Sequence, residues 1–399
     1  MTEHIASLRL RGGSRRVVVT GIGLVSAIGC NLAAFCESLF AGRSGVAPLP
    51  DPAAAGASAA ARVAGFQPLP GLEHADRSIQ FAVAAARAAA ADAGLSREAL
   101  DGAQTGVSIA SSKGGVLSFC NRASDAWLWN YLPASPAGAV ARDLGCRGPS
   151  SVPAAACAAG SHAVIAAARM IADGEAEIVL AGATEASITP LICVGFGKLG
   201  VLAKDGICRP FDARRSGFVI GEGAAVMVLE SAVSAAARGA AAYAEVAGYA
   251  RAADAHGIVA FDESGAGVGR AIRAALDAAA VPPDGVDYIN AHATGTVHND
   301  IVETKAIKLA LGRHAAGVPV SGTKPITGHL LGAAGAIETA ICLLAMRHGF
   351  IPPTINYAAP DPRCDLDCVP GTGRRADVRV ALNLSFGFGG QIGVIVLRR

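Results

Sequence analysis

Residues 151–170 read SVPAAACAAGSHAVIAAARM, a proline-containing turn that runs into an apolar, alanine-rich segment. Residues 321–336, SGTKPITGHLLGAAGA, show a similar arrangement. Each stretch predicts a turn followed by a buried helix, with Cys157 or His329 near the start of that helix. A polar side chain in such a setting is costly unless it has a partner or a function. The two stretches therefore indicate a functional site at the beginnings of two buried helices.

A second histidine lies in YINAHATGTVHND, residues 288–300, where His292 ends a hydrophobic run and opens a loop of glycine and threonine. Ligands bind at strand ends in α/β proteins, which favours a functional role for His292. The helix start should favour the thiolate and lower the pKa of Cys157. One cysteine with two histidines supplies the groups that covalent acyl chemistry needs.

The bulk composition argues against several classes of protein. The chain has 399 residues, of which 52% are hydrophobic and 49 are glycine, and this content indicates close helix packing. No apolar run has the length of a membrane-spanning helix, and a net charge of +2 argues against nucleic-acid binding. The ten scattered cysteines show no disulfide pattern, so we expect a cytoplasmic protein. Cys364 and Cys368 lack a second pair of ligands, so no metal is expected.

Short β-branched runs alternate with alanine-rich helical stretches, which is typical of an α/β fold with a buried parallel or mixed sheet. The order of elements starts again late in the chain, which predicts two duplicated halves, 17–240 and 241–399. The cysteine belongs to the first half and both histidines belong to the second. Residues 1–16 are predicted to be a disordered basic extension.

Three glycine-containing stretches give local predictions. Residues 17–23, VVVTGIG, should form a strand that ends in a sharp glycine turn; Ser26 at the third fingerprint position disfavours a dinucleotide site. Residues 217–230, GFVIGEGAAVMVLE, should form two short strands around a glycine turn. Residues 381–399, ALNLSFGFGGQIGVIVLRR, should form a closing hairpin.

Two further features accompany the three candidate residues. Lys324 and Glu338 are charged residues in an apolar region, and such a pair would hold the histidines neutral and oriented. Residues 386–390, FGFGG, are either a simple hairpin turn or an oxyanion hole with a movable aromatic ring.

Together these motifs resemble the signature set of a known family. AACAAG at Cys157, HATGT at His292, the KPITGHLLGAAGAIE run and the terminal NLSFGFGG resemble the β-ketoacyl-acyl carrier protein synthases of the elongating I/II type. The resemblance covers nearly the whole chain after Val17. It implies the thiolase fold, in which two duplicated halves form five αβαβα layers, and a homodimer or heterodimer. The reaction it implies is decarboxylative Claisen condensation in fatty-acid or polyketide-type chain elongation.

The resemblance also implies roles for individual residues. Cys157 would carry the acyl group as a thioester, with the backbone N–H groups of Cys157 and Phe388 as the oxyanion hole and Phe388 as the gate. His292 and His329 would bind the thioester carbonyl of malonyl-acyl carrier protein, supported by the Lys324–Glu338 pair. No cofactor is implied, because the substrates travel on the phosphopantetheine of the acyl carrier protein.

The acyl pocket and the docking surface for the carrier protein are predicted from the same resemblance. Lys113 and Phe386 are placed in the acyl pocket, where Lys113 replaces the usual apolar residue. Alternatively, Lys113 turns to solvent or pairs with an acidic residue. Docking is assigned to Arg77, Lys204 and Arg209.

Two other functions are weighed against this one. A thiolase acting on CoA esters needs a second catalytic cysteine near the C-terminus, where this chain has FGFGG. A chain-length-factor subunit of a heterodimeric synthase typically lacks the nucleophile, so Cys157 argues against that function.

Overall fold

The computed structural model describes residues 15–102, 104–121 and 127–399. Its central feature is one sheet of ten strands. In chain order the strands are β1 (Val17–Ser26), β2 (Thr105–Ala110), β3 (Ser150–Ser151), β4 (Ile178–Glu185), β5 (Gly223–Ser231), β6 (Ala244–Ala253), β7 (Tyr288–Asn290), β8 (Val320–Ser321), β9 (Val380–Gly387) and β10 (Gln391–Arg398).

The strand order reveals a duplication. Across the sheet the order is β8-β7-β9-β10-β6-β1-β5-β4-β2-β3. The five strands β1–β5 and the five strands β6–β10 therefore have the same arrangement. From the outer edge of the sheet to its middle, each set runs in the order third, second, fourth, fifth and first strand. The directions of pairing match as well, because both sets combine two parallel pairs with two antiparallel pairs in the same positions. The two sets meet where β1 pairs with β6.

The two sets of five strands form two layers of the fold, and six helices form the other three. They are α1 (Arg77–Asp92), α2 (Ser135–Leu144), α3 (Ala159–Ala172), α4 (Ala266–Ala279), α5 (Val297–Leu311) and α6 (Ala334–His348). Helices α1 and α2 cover the first set of strands on the outside, and α4 covers the second set with α5 packed on it. Helices α3 and α6 lie in the middle and contact strands of both sets. The predicted five-layered thiolase fold with two duplicated halves is confirmed.

The remaining elements are short. The helices are Leu32–Phe40, Pro52–Ala55, Arg97–Leu100, Val116–Asn121, Trp127–Tyr131, Pro190–Lys198, Ala232–Ala237 and Lys324–Thr327. The 3-10 turns are Ala156–Ala158, Pro283–Gly285, Gly312–Ala316 and Leu331–Ala333. Two small ribbons pair Ala47–Pro48 with Ala59–Ala60, and Phe350–Ile351 with Arg374–Arg375.

The two central helices pack with their backbones close together, which accounts for their alanine and glycine content. A Cβ atom added at Gly160 of α3 would lie 2.5 Å from the backbone nitrogen of Ala336 in α6. A Cβ at Gly335 would lie 2.6 Å from the backbone nitrogen of Ser161. Larger side chains at these positions would separate the helices and the turns that precede them.

The first strand differs from its prediction. Gly21 and Gly23 do not end β1, which continues to Ser26. A Cβ at Gly23 would lie 2.0 Å from the carbonyl oxygen of Ala85 in α1, so the glycine permits close approach of a helix backbone. The predicted glycine turn was therefore wrong, and the glycines serve packing of helix on strand.

Residues 217–230 also differ, because they contain one sheet strand, β5, and not two. The backbone before β5 pairs with the segment that carries His329: Gly221 N donates to the His329 carbonyl at 2.8 Å, and His329 N donates to the Val219 carbonyl at 2.7 Å. The glycine-rich stretch therefore holds a candidate catalytic residue. The closing hairpin, by contrast, is confirmed, with β9 and β10 joined by residues 388–390.

Most of the predicted N-terminal extension, residues 1–14, lies outside the described residues. Arg16 belongs to the folded part, because its guanidinium donates to both carboxylate oxygens of Glu245, at 2.7 and 2.5 Å. The predicted boundary at 240/241 lies in the connection between Ala232–Ala237 and β6. Among the described residues, no helix is both long and apolar enough to span a bilayer.

Candidate active site

Two equivalent turns precede the central helices. The turn Ala156–Ala158 leads into α3 and carries Cys157, and the turn Leu331–Ala333 leads into α6 two residues after His329. Each turn begins with a residue in the left-handed region, Ala156 at φ 46° and Leu331 at φ 49°. Such backbone is costly for residues other than glycine and occurs where the surrounding structure imposes it. The fold duplication thus brings the two predicted helix starts to the same region.

Cys157, His292 and His329 line one cavity of about 290 Å³. Cys157 is 8% exposed, His292 4% and His329 1%, so all three side chains are largely shielded from bulk solvent. The wall is mostly apolar and aromatic. The other lining residues are Phe196, Gly200, Val201, Ser216, Phe218, Val259, Ala260, Phe261, Thr294, Thr296, Val297, His298, Asn299, Phe386, Gly387 and Phe388.

The two histidine rings are neighbours. Their centroids lie 5.5 Å apart, with an angle of 84° between the ring planes. Burial lowers the pKa of both rings well below the ordinary value, and the Lys324 ammonium lowers both further. Both imidazoles are therefore neutral near pH 7, and each has one N–H to donate.

Lys324 and Glu338 form a buried ion pair of 2.5 Å behind the histidines. The Lys324 ammonium also donates to the His292 carbonyl and, at 3.4 Å, to His292 Nδ1. Because Nδ1 accepts this hydrogen bond, the proton of the neutral imidazole lies on Nε2. Burial raises the pKa of Glu338, and the charge of Lys324 opposes that rise. The pair thus fixes the tautomer of His292.

Glu303 is a supporting residue that the sequence did not single out. Its two carboxylate oxygens accept the backbone N–H groups of His292 and Ala293, at 2.7 and 2.8 Å. Ala293 has φ 40°, so the chain turns sharply right after His292 and Glu303 holds that turn. Burial raises the pKa of Glu303 to about 8. The available signal was a glutamate on α5, eleven residues after His292.

Cys157 departs from the expected electrostatics. Burial raises the pKa of its thiol to about 11, although the charges of Lys113 and Lys324 oppose this. The predicted lowering of this pKa was wrong, because the cost of removing the thiolate from water exceeds the stabilisation by the two nearby cations. The resting protein therefore holds Cys157 as a thiol.

The hairpin end approaches the backbone of Cys157. A Cβ at Gly387 would lie 2.5 Å from the Ala155 carbonyl oxygen and 3.0 Å from the backbone nitrogen of Cys157. Only glycine permits this approach, and it places the backbone leading into Phe388 beside the Cys157 amide. The Phe388 ring lines the cavity at 6.2 Å from Phe196, between ring centroids.

Of the two predicted acyl-pocket residues, Phe386 lines the cavity with its ring 5.3 Å from that of His292. Lys113 is half-buried. Its ammonium donates to Ser112 Oγ at 2.8 Å and lies 5.4 Å from the centre of the Phe196 ring. The Lys113 ammonium therefore contacts Phe196, a residue in the cavity wall, and the side chain does not extend fully into solvent.

The predicted docking residues differ in how far their charged groups are already bound to other residues of the fold. Arg77 donates to Glu222 and to the Val63 carbonyl, so its guanidinium is engaged within the fold. Arg209 pairs with Asp205 at 2.7 Å. Lys204 is exposed and forms no ion pair within the described residues. Docking by these residues stays a prediction, and the contacts favour Lys204 over Arg77.

Comparison with known proteins adds independent information. Residues 14–235 match the N-terminal domain model of the beta-ketoacyl synthases, and residues 243–358 match the C-terminal domain model. The chain is 41% identical to 3-oxoacyl-[acyl-carrier-protein] synthase 2 of Synechocystis sp., over 94% of this chain and 96% of that protein. It is 38% identical to a putative polyketide beta-ketoacyl synthase 1 of Streptomyces halstedii, over 96% and 98% of the two chains.

Solved structures give the same result. One is a type II polyketide acyl-carrier protein in complex with its ketosynthase bound to the hexaketide, which matches with a TM-score of 0.90 and 35% identity over 96% of this chain and 99% of that chain. Another is the ishigamide ketosynthase/chain length factor, with a TM-score of 0.90 and 37% identity over the same shares. With both domain models, the repeated sheet and a cysteine and two histidines that line one cavity, the chain belongs to the β-ketoacyl synthase family.

Proposed function

We propose that this protein condenses an acyl group held on Cys157 with malonyl-acyl carrier protein and releases CO₂. The observation that carries the proposal is the cavity that the Cys157 thiol lines together with two neutral imidazoles. A neutral imidazole can donate a hydrogen bond to a developing oxyanion without carrying a charge into a buried position. A relative named 3-oxoacyl-[acyl-carrier-protein] synthase 2 supports carrier-bound substrates.

The first step loads the enzyme. Cys157 Sγ attacks the thioester carbonyl of acyl-carrier protein, a new carbon–sulfur bond forms, and the bond to the carrier sulfur breaks. The thiol proton ends on the departing carrier thiol. The backbone amides of Cys157 and Phe388 stabilise the tetrahedral oxyanion, which their close approach at Gly387 supports.

The second step forms the carbon–carbon bond. The malonyl carbon–carboxylate bond breaks, CO₂ leaves, and the electron pair remains as an enolate that accepts hydrogen bonds from His292 Nε2 and from His329. The enolate carbon attacks the acyl thioester, and the bond to Cys157 sulfur breaks. One proton from solvent restores the thiol. The product is β-ketoacyl-carrier protein, two carbons longer than the acyl group that was loaded.

The supporting residues keep these groups in place. Lys324, paired with Glu338, holds His292 in the Nε2–H tautomer, and Phe388 closes the cavity mouth as a gate. The reaction requires no cofactor besides the phosphopantetheine of the carrier. The acyl carrier protein is the partner, and Lys204, an exposed cation, is the proposed contact for acidic residues on it.

We further propose a cytoplasmic dimer, homomeric or formed with a second synthase-like subunit as in the matched ketosynthase/chain length factor structure. A purely non-catalytic role in such a dimer is disfavoured, because Cys157 is present and lines the cavity. The ten cysteines are free among the described residues, which suits a reducing compartment.

The test is acylation of the purified protein. Incubation with acyl-carrier protein should add one acyl group per chain, located by peptide mapping on Cys157. Cys157→Ala should abolish both labelling and condensation. Cys364→Ala, which changes another buried cysteine, should retain them. An acyl group mapped to any other cysteine would overturn the assignment.

A further inference from the structure

Lys113 places a cation beside the catalytic cavity. It lies in the loop between β2 and the helix Val116–Asn121, and its ammonium lies over the ring of Phe196, which lines the cavity. Its positive charge lowers the pKa of Cys157 against the larger effect of burial, and it lowers the pKa of His329. The ammonium is therefore close enough to act on groups at the reaction centre.

The loop that carries Lys113 is anchored to the catalytic turn. The backbone N–H of Ser112 and the backbone N–H of Gly332 both donate to Glu185 Oε2, at 3.0 and 3.1 Å. Glu185 is fully buried. A Cβ at Gly332 would lie 2.5 Å from Ser112 N, so the loop packs directly on the turn before α6. These contacts fix the base of the Lys113 side chain.

Within the described residues the ammonium has one hydrogen-bond acceptor, and because the side chain is only half-buried, water can reach it. The ammonium has three donors, and one of them reaches Ser112 Oγ at 2.8 Å. No carboxylate among the described residues lies within ion-pair distance of it. A plain alkyl chain on this wall would displace water from a cation and offer no acceptor, which is unfavourable. A chain with an oxygen atom at the right depth would replace that water as an acceptor.

We propose that Lys113 makes this enzyme prefer acyl groups that carry a carbonyl or other oxygen acceptor along the chain over saturated alkyl groups. The inference rests on the proposed function, since it assumes an acyl group on Cys157. The hydrogen bond to a charged donor should change relative loading by about tenfold to a hundredfold.

The experiment measures loading of matched acyl-carrier proteins by intact mass. The probes are octanoyl-carrier protein and its 3-oxo, 5-oxo and 7-oxo derivatives, which share a length and differ in the depth of one carbonyl. Lys113→Met removes the charge at similar volume, and Lys113→Arg keeps the charge. Lys198→Met is the matched control, because Lys198 is an exposed lysine on the helix that carries Phe196.

The native protein should load one of the oxo probes at least about tenfold faster than octanoyl. Lys113→Met should remove that preference by speeding octanoyl loading or slowing oxo loading, whereas the Arg and Lys198→Met proteins should keep it. Equal preference in the native and Lys113→Met proteins would overturn the inference and leave the proposed function intact. Failure of the native protein to acylate Cys157 with any probe would overturn the proposed function instead.

Discussion

At the scale of single residues, the neutral histidines divide the reaction into two parts. In the proposed mechanism, loading needs the thiol of Cys157 and the backbone amides, whereas CO₂ release needs hydrogen-bond donors for the enolate. His329→Ala should therefore lower CO₂ release from malonyl-carrier protein by about a hundredfold or more, with a much smaller effect on acylation of Cys157. Radiolabelled CO₂ release and intact mass measure the two steps separately.

The surface variant His256→Ala serves as the control, since His256 is exposed and lies outside the cavity lining. It should leave both steps unchanged. If His329→Ala blocked acylation while CO₂ release persisted, the division of roles would be reversed. The raised pKa of Cys157 gives a second check, because alkylation of the thiol should quicken with pH without levelling off between pH 7 and 9.

The same residues show how far a sequence can be interpreted. Cys157, His292 and His329 stood out because each was a reactive side chain in an apolar segment. In the fold all three are buried and line the same cavity. Glu303 did not stand out, because its function depends on a hydrogen bond to backbone eleven residues away. The pKa of Cys157 was misjudged for a related reason: burial depends on every element packed around the thiol, and no local pattern reports it.

At the scale of elements, the presence of a glycine within a strand is explained by the element that packs against it. The sequence suggested that Gly23 made a turn, yet its function is to admit the backbone of α1 at the middle of a strand. Gly23→Ala should therefore lower the free energy of unfolding by about 1–3 kcal/mol, because β1 or α1 must shift to admit the Cβ. The thermal unfolding midpoint, followed by circular dichroism, should fall by about 1–4 °C, because a chain of 399 residues has a large entropy of unfolding.

Gly195→Ala is the matched control for that substitution. Gly195 lies in the helix Pro190–Lys198, and a Cβ there would have no heavy atom within 4 Å. Alanine should be neutral or stabilising by up to about 1 kcal/mol, since it has the higher helix propensity. An unchanged midpoint in Gly23→Ala would mean that the strand and the helix are not in close contact in solution.

At the scale of the whole molecule, the sequence indicated a duplication but could not predict the order of the strands in the sheet. The repeated element order was visible in the sequence, whereas the strand order depends on long-range pairing that local patterns do not encode. The two halves meet where β1 pairs with β6 through Val18 and Val19. Glu245 lies at this junction and accepts hydrogen bonds from Arg16 at one end of the chain and Arg398 at the other.

This junction should make stability depend on pH. Burial tends to raise the pKa of Glu245, but the hydrogen bonds and charges of Arg16 and Arg398 outweigh it, so the folded pKa is lowered from 4.5. A lowered folded pKa adds stability above the unfolded pKa, and that stability is lost as pH falls through the folded pKa. Glu245→Gln should cost about 1.5–3 kcal/mol at pH 7, as for hydrogen bonds to a charged group, and the difference from the native protein should shrink steadily below pH 4.5. Urea unfolding across this pH range measures both the cost at pH 7 and its change with pH. Glu37→Gln is the control, because the Glu37–Arg43 pair is exposed and should contribute less than about 1 kcal/mol. A difference for Glu245→Gln that stayed constant down to pH 3 would show that packing of the side chain, and not its charge, joins the two halves.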